Sequence, residues 1–395
     1  MKRFLTTAII TLALASPLLA QTPFALQAMG QNVELGTARD TGRGGWGMAD
    51  SDSLTPGTLN PAALADLRFI GLVFSGYGEQ TNSTGYGTSR ETYRTIVPNI
   101  LLAIPIRRGS FSINAGFNIK RTMQYTTREE QSFTLFGEEY DAFERYRRDG
   151  SLYFVPLGMS WRPFGGLALG ASLNFAQGSI QDEITQVADG FLANIQDQRS
   201  NLKGTCYTAS MLWDGWGFLR IGASYTTPYD LVADSEVSLG GVTDRGYNNM
   251  TATMPPEYKA GLKIDLGNHW AFGADGQFSP FSEMDGVEQW EPYLRDEWTA
   301  SAGFERRWFR TKHGRSFALP IRFGFRWHQW SHAVGGPPVN ERVASIGTGF
   351  PFRNGLGAVD FSLSYAIIGD EAENGYQSKS WRLGVSITGL EPLVF

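Results

Sequence analysis

Basic residues recur at alternate positions within apolar stretches of the chain. Arg322 and Arg326, for example, alternate with Phe323 and its apolar neighbours. Side chains on a β-strand point to opposite faces in turn, so these charges would share one face, where they suit a ligand carboxylate or pair with acidic residues. The candidates for binding the carboxylate head group of a ligand, called head-group residues below, are Lys120, Arg220, Arg322, Arg326 and Arg382, and Lys259 and Lys263 follow the same pattern. The acids that could pair with these residues include Asp265, Asp275, Glu305 and Asp360.

Few residues could support catalysis. The candidates for a catalytic nucleophile and base are Ser331 with the nearby His328 and His332. Phospholipases and proteases that are outer-membrane β-barrels need such a Ser–His or Asp–His pair. The chain has four His and one Cys, Cys206, which excludes an intramolecular disulfide framework and provides no CxxC metal motif. We therefore expect no enzyme activity, no metal and no cofactor.

Fourteen short stretches alternate apolar and polar residues with period two. In one of the clearest, Trp381, Leu383 and Val385 interleave with Arg382 and Gly384. A soluble β-sandwich or propeller would also alternate, but an apolar face toward lipid and a polar face toward a lumen are typical of an outer-membrane barrel. We predict an all-β fold, a 14-stranded antiparallel transmembrane β-barrel over residues 68–395, with strands near 68–80, 93–106, 110–125, 150–162, 166–180, 203–213, 218–232, 256–266, 269–281, 298–309, 317–329, 341–352, 357–369 and 379–391.

The predicted connections alternate short and long. Short periplasmic turns and long external loops are the rule for outer-membrane barrels, so we expect both barrel termini in the periplasm. Tryptophans at predicted strand ends fit interfacial girdles; they are Trp161, Trp216, Trp270, Trp298 and Trp308. The long loops are expected at 81–92, 126–149, 181–202, 233–255, 282–297, 330–340 and 370–378.

The first 20 residues read as a secretory signal peptide. Lys2 and Arg3 precede an apolar run over residues 4–15, and Ala20 precedes the predicted cleavage site. The net charge of -5 argues against a nucleic-acid partner. We expect a monomer in the cell outer membrane, in contact with membrane lipid and lipopolysaccharide.

Residues 21–67 lack strand alternation and are rich in Gly and Asp. A barrel of this size has a lumen that strand side chains alone do not fill, so this segment could plug it, and a disordered tail is the alternative. Its Asn60-Pro61-Ala62 triplet, just before the first strand, resembles the hatch motif of the FadL long-chain fatty-acid transporter family, which includes TodX-like hydrocarbon transporters. The resemblance extends to Val97-Pro98-Asn99 and Met254-Pro255-Pro256.

The resemblance implies passive transport of a fatty acid or hydrocarbon through a loop groove, a lumen pocket and a lateral exit. Val187, Phe191, Leu192 and Ile195 would form the groove on one helical face, with a cap helix on the rim as the alternative. Gly116 would supply the kink in strand three that opens the lateral gate, with Asn114 as the alternative position, or Gly116 would be an ordinary packing glycine. A PorV-like, non-transporting scaffold of a secretion system is the alternative function.

Overall fold

The structure is a computed structural model. It describes residue 24 and residues 30–34, 36–53, 55–135, 138–188, 191, 193–239, 242–245, 249–267, 269–286, 291–307, 309–310, 317–333, 336–352 and 356–392. The predicted signal peptide lies outside these residues. No helix in the described ranges is long and apolar enough to cross a membrane.

Nearly every described element is a β-strand. The exceptions are two short α-helices, Ala38–Gly42 and Glu371–Asn374, and three 3-10 helices, Pro61–Asp66, Phe281–Glu283 and Glu291–Tyr293. The strands are β1 (Gln31–Asn32), β2 (Ile70–Gly85), β3 (Thr88–Arg107), β4 (Phe111–Thr122), β5 (Tyr125–Leu135), β6 (Glu138–Phe164), β7 (Leu167–Ala188), β8 (Asn194–Trp213), β9 (Leu219–Thr226), β10 (Tyr229–Leu239), β11 (Val242–Arg245), β12 (Met250–Met254), β13 (Glu257–Gly267), β14 (Trp270–Ser279), β15 (Glu297–Arg306), β16 (Phe309–Arg310), β17 (Phe317–Ala318), β18 (Ile321–Ala333), β19 (Pro338–Pro351), β20 (Gly357–Ile368) and β21 (Tyr376–Glu391).

The main sheet closes on itself. β4 and β5 both pair with β6 and together form the third barrel strand, while β9 with β10 and β12 with β13 form the seventh and eighth. Antiparallel pairing of β21 with β2, from Glu391 opposite Ile70 to Tyr376 opposite Gly85, completes the ring. Across the described residues the ring has fourteen strand positions, which confirms the predicted 14-stranded antiparallel barrel.

Several predicted long loops are strands instead. The expected loop at 81–92 is a hairpin in which Gly85 pairs with Thr88 around a two-residue turn. The expected loops at 126–149, 181–202 and 233–255 are largely strand as well, because β5 to β8 and β10 continue their ladders there. These segments are mostly polar on both faces, with scattered apolar residues such as Phe143 and Val187, which removes the alternation although backbone pairing continues. β6 is 27 residues long, whereas a membrane span needs only about 9–11.

The outward face has an apolar band with aromatic residues at both edges. Trp161 and Trp216 are exposed at the end of the barrel where short turns connect the strands. At the other edge the rings of Trp298 and Trp327 lie 5.2 Å apart, with Lys379 and other polar residues beyond. Trp308 lies outside the described residues. The end with the short turns is the periplasmic end, because periplasmic turns are short in outer-membrane barrels, and the long hairpins extend outside the cell.

Candidate functional site

The N-terminal segment, residues 30–67, contacts opposite walls of the ring. Backbone N–H groups of Gly47 and Met48 donate to Asp275 Oδ2 on β14 at 2.6 and 2.8 Å. On the other side, the backbone N–H of Ala38 donates to Ser386 Oγ on β21 at 3.2 Å. The segment thus contacts residues on opposite walls of the closed ring, and most of its described residues are buried.

The Asn60-Pro61-Ala62 triplet begins a 3-10 helix, and Asn60 is its N-cap. The Asn60 side chain is buried; its Nδ2 donates to the carbonyl oxygens of Met48 at 2.7 Å and Met211 at 3.1 Å, and its Oδ1 accepts from the backbone N–H of Ala62 at 3.0 Å. Met211 lies on β8, so one amide side chain joins two parts of the segment to the wall. Proline suits the first helical position because its missing N–H needs no partner there.

A buried ionic cluster joins the segment to the wall, and Glu305 on β15 is at its centre. Arg39 donates to both Glu305 carboxylate oxygens at 2.8 Å, in a bidentate pair. Arg43 lies 3.1 Å from Glu305, 2.7 Å from Asp50 and 2.6 Å from Asp40. A charge taken out of water is costly unless it is paired, so these contacts determine where the segment can lie.

Asp50 remains a carboxylate in this cluster. Burial alone would raise the pKa of Asp50, but Lys263, Arg43 and Arg39 around it lower the pKa well below its usual range. Asp50 forms an ion pair with Lys263 on β13. The segment is thus ionically paired with the wall at β13 as well as at β15.

The five predicted head-group residues face the lumen and are already bonded. Arg220 donates to the backbone carbonyl oxygen of Ser51 at 2.8 Å. The closest ion pairs of the other four are Lys120–Glu257 at 3.5 Å, Arg322–Glu305 at 2.9 Å, Arg322–Asp360 at 2.8 Å, Arg326–Glu34 at 2.9 Å and Arg382–Glu341 at 2.7 Å. Pairing with acidic or backbone groups of the protein therefore describes these basic residues better than a role as unpaired positive charges that await a ligand carboxylate.

Sequence reasoning missed the acidic and basic residues of the N-terminal segment. Arg39, Arg43 and Asp50 were not predicted as partners of the charged wall residues, because nothing in a loop-like stretch indicates which wall strands it will face. The only available signal was an excess of inward-facing basic residues on the predicted strands, which requires carboxylates from elsewhere.

Two small cavities lie beside the segment in the lumen. One has a volume of about 100 Å³ and the other about 90 Å³. Both have mixed polar and apolar walls, and they share Leu59, Lys120, Glu257 and Lys259. Both are smaller than the roughly 150 Å³ of an apolar cavity that binds benzene, so a ring-sized or longer molecule would require the N-terminal segment to move.

A larger, apolar groove of about 770 Å³ lies on the outer wall between β3 and β9. Asn114, Ser172 and Thr208 line this groove and also the inner cavity of about 90 Å³. Only one layer of barrel wall therefore separates the lumen from the bilayer at this place.

The ladder between β4 and β6 is interrupted at the same place. Ala115 pairs with Leu157, and the next pair is Asn118 with Phe154, so the positions of Gly116 and Phe117 are unpaired on this side. Pro156, which stands opposite Gly116, has no N–H to donate. A Cβ at Gly116 would lie 2.7 Å from the carbonyl oxygen of Ile100, which favours glycine there.

The predicted groove residues lie in a hairpin, so the expected helical face is wrong. Val187 is in β7 and Ile195 is in β8, where Thr185 pairs with Ile195. Phe191 is half exposed, with its ring 5.4 Å from that of Tyr140. Leu192 lies outside the described residues. Among the described residues of this hairpin end, Phe191 and Ile195 are apolar and exposed, although their periodicity is not helical.

The catalytic candidates are buried and separately bonded. His328 Nδ1 lies 2.8 Å from Thr299 Oγ1, and His332 Nε2 lies 2.9 Å from the Phe24 carbonyl oxygen. Ser331 Oγ accepts from Arg121 at 3.1 Å, so neither histidine is bonded to Ser331. In the described part of the chain, no group of three or more His, Cys, Asp or Glu side chains could bind a metal ion.

A protein-family model for BamG matches residues 1–388. The chain belongs to the BamG family. By contrast, comparison with curated proteins gives no match for this BamG-family chain.

Solved outer-membrane transporters share the fold of this BamG-family barrel. The Ralstonia pickettii toluene transporter TbuX is 14% identical, with 91% of this chain and 99% of that chain covered and a TM-score of 0.59. A Pseudomonas aeruginosa FadL homologue is 13% identical over 95% and 99%, with a TM-score of 0.57. The Pseudomonas putida toluene transporter TodX is 12% identical over 93% and 100%, with a TM-score of 0.56. These matches confirm the FadL-type outer-membrane barrel fold that the sequence predicted.

Replacing Glu305 with Gln should destabilise the protein by about 3 kcal/mol or more, because three buried arginines lose a shared charge partner. The free energy of unfolding, measured by denaturant titration of the folded barrel, checks this. Glu371→Gln, at an exposed position, is the matched control. Equal stability of the two variants would contradict a central role for Glu305.

Replacing Gly273 with Ala should displace the N-terminal segment, because the added Cβ would lie 2.2 Å from the buried ring of Trp46. Trypsin should then cleave after Arg39 or Arg43 faster than in the parent protein, while the barrel stays folded. Gly276→Ala, with the nearest atom 4.0 Å away, should cleave at the parent rate. Parent-like cleavage of both variants would show that the segment does not depend on this contact.

Proposed function

We propose that this BamG-family barrel carries small hydrophobic molecules passively across the outer membrane and releases them sideways into the bilayer. The main support is the shared wall at Asn114, Ser172 and Thr208, which borders a lumen cavity on one side and an apolar groove on the other. The interrupted ladder at Gly116 and Pro156 lies within this wall. A hydrophobic molecule that crossed here would pass from the lumen to lipid without entering the periplasm.

In the proposed route, the end of the β7–β8 hairpin with Val187, Phe191 and Ile195 captures the molecule outside the cell, together with Leu192, which the sequence places between them. The N-terminal segment then acts as the hatch, with Asn60-Pro61-Ala62 as its attachment to the wall. The 3-10 helix that begins within this triplet contributes Leu64 to the lining of the cavity of about 90 Å³. A modest shift of this short helix would enlarge the cavity next to the proposed exit.

The ligand we favour is an uncharged hydrocarbon of about one ring. The lumen-facing arginines already have carboxylate or backbone partners, so a ligand carboxylate would have to displace a buried ion pair. The two cavities of about 100 and 90 Å³ suit a compact molecule better than a long acyl chain. A fatty acid would need both a displaced salt bridge and a larger movement of the hatch.

A non-transporting, PorV-like surface scaffold is the second candidate. Two observations favour it: the lumen is crossed by ion pairs, and the strands continue well beyond the apolar band. β6 to β8 have 27, 22 and 20 residues, so they present a polar sheet outside the membrane that a partner protein could contact. Partner chains that co-purify with a barrel inactive in uptake would favour this function.

A disulfide across the interrupted ladder should close the proposed exit. Phe117→Cys and Val155→Cys introduce thiols at positions that the flanking pairs place opposite each other. Uptake of toluene into liposomes should fall to the protein-free background when this variant is oxidised and recover on reduction.

The matched control is Ala302→Cys with Phe325→Cys, at a paired position of β15 and β18. Oxidation of this control should leave uptake unchanged. If the oxidised β4–β6 variant transports toluene at the rate of its reduced form, the exit is not at this place.

Shortening the β7–β8 hairpin should impair capture without unfolding the barrel. Gln186 pairs with Asn194, so an Asn-Gly turn can replace residues 187–193 in register. Toluene uptake at low concentration should decrease, because Val187 and Phe191 are removed. The same turn in place of residues 132–141, between the paired Gln131 and Ala142, is the control and should have little effect. Normal uptake by the β7–β8 variant would contradict the capture role.

A further inference from the structure

The outer groove is formed by two adjacent rows of outward-facing side chains across neighbouring strands. The first row runs along paired positions from Leu102 through Ala115 and Leu157 to Leu173 and Tyr207. The second runs from Ile104 through Ile113, Met159, Ala171 and Ala209 to Tyr225. In each row, alanines lie between larger side chains.

These alanines create the depth of the groove. Ala171 and Ala209 are neighbours on β7 and β8, with Met159 on one side and Tyr225 on the other. On the wall at β14, β15 and β18, by contrast, aromatic rings fill the outward row through Phe304, with Phe272–Phe304 and Phe304–Phe323 ring centroids 5.0 and 5.3 Å apart. The concave part of the wall thus comes from the residue types at these outward positions.

Basic side chains lie at the periplasmic end of the same wall. Arg107 and Arg108 are exposed in the β3–β4 turn, and Arg107 pairs with Phe111, which lines the groove. The backbone N–H of Gly109 donates to the Leu67 carbonyl oxygen at 2.8 Å, which places exposed Arg68 beside this turn. A cationic edge therefore adjoins an apolar groove at the level of the membrane interface.

We propose that this wall binds one phospholipid of the periplasmic leaflet, with its phosphate at Arg68 and Arg107 and an acyl chain in the groove. Both ends match the chemistry of that lipid: guanidinium groups bind phosphate, and a groove that faces the bilayer interior takes a hydrocarbon chain. The groove begins at Phe111, beside the basic turn, so one molecule can reach both features. The groove is also the outer side of the proposed lateral exit, so a bound acyl chain would have to move aside for a molecule that leaves there, but lipid binding itself does not require transport.

Native mass spectrometry of the full-length barrel in detergent tests this proposal. The probe is a phosphatidylethanolamine with two 16-carbon chains, added and then removed by stepwise detergent exchange. The parent protein should retain one lipid molecule. Ala171→Phe with Ala209→Phe, which fills the groove, should retain about tenfold less, and so should Arg68→Glu with Arg107→Glu.

Matched controls lie on other parts of the outer wall. Ala300→Phe with Ala344→Phe alters two outward alanines outside the groove, and Lys379→Glu alters an exposed basic residue at the opposite rim. Both should retain lipid as the parent does. Gel mobility before and after heating reports whether the double groove variant is folded. If it is not, Ala209→Leu is a milder variant that also fills the groove.

Three results would overturn the proposal. The first is a parent protein that retains no phospholipid. The second is groove and rim variants that retain as much as the parent and the controls. The third is retention of added lipopolysaccharide in preference to phospholipid, which would place the binding site in the other leaflet. Toluene uptake measured on the same variants reports separately on transport.

Discussion

Pairing of buried charge inside the ring is the constraint on which the rest of the structure depends. Glu305 binds Arg39 and Arg43 of the N-terminal segment and Arg322 of the wall, and Lys263 binds Asp50. None of these charges would be tolerated in a dry interior without its partner. The barrel wall and the segment therefore stabilise each other, and a wall without the segment would leave several arginines and Lys263 with fewer acidic partners.

This constraint also limits what the lumen can do. A ligand that carried its own charge would compete with pairs that are already made, whereas an uncharged molecule would displace only water or apolar contacts. The apolar surfaces that the chain offers lie instead at the hairpin tip and on the outer wall beside Gly116. The proposed function and the proposed lipid both follow from this division between a polar, paired interior and an apolar exterior.

Much of the fold was predictable because alternation is a local property. The period-two alternation and the tight turns predicted the strand near Trp381 and the thirteen other strands of the barrel. The solved transporters that match the chain confirm the resulting fold. The hairpins beyond the membrane were taken for loops because both of their faces are polar, as over 145–149. The helical interpretation of Val187 to Ile195 was wrong because both residues lie in strands: Val187 pairs with Phe143 on β6, and Ile195 pairs with Thr185 on β7.

The site was less predictable, because its contacts join residues far apart in the chain. Arg39 and Glu305 are 266 positions apart, and no local pattern pairs them. The inward register of Arg322 and Arg382 could be predicted, and Glu305 and Asp360, which pair with Arg322, were among the candidate acids. The partners of Arg382, Glu79 and Glu341, and the acids of the segment were not. Gly116 is an intermediate case: a strand glycine suggests a bend, but only the pairing register shows that Pro156 stands opposite it.

Uptake of toluene by liposomes that contain the purified parent barrel tests the central claim most directly. The account predicts protein-dependent uptake that exceeds the protein-free rate and needs no energy source or added partner. An uptake rate equal to that of protein-free liposomes, from a barrel shown to be folded and inserted, would contradict transport and leave the scaffold function as the better explanation.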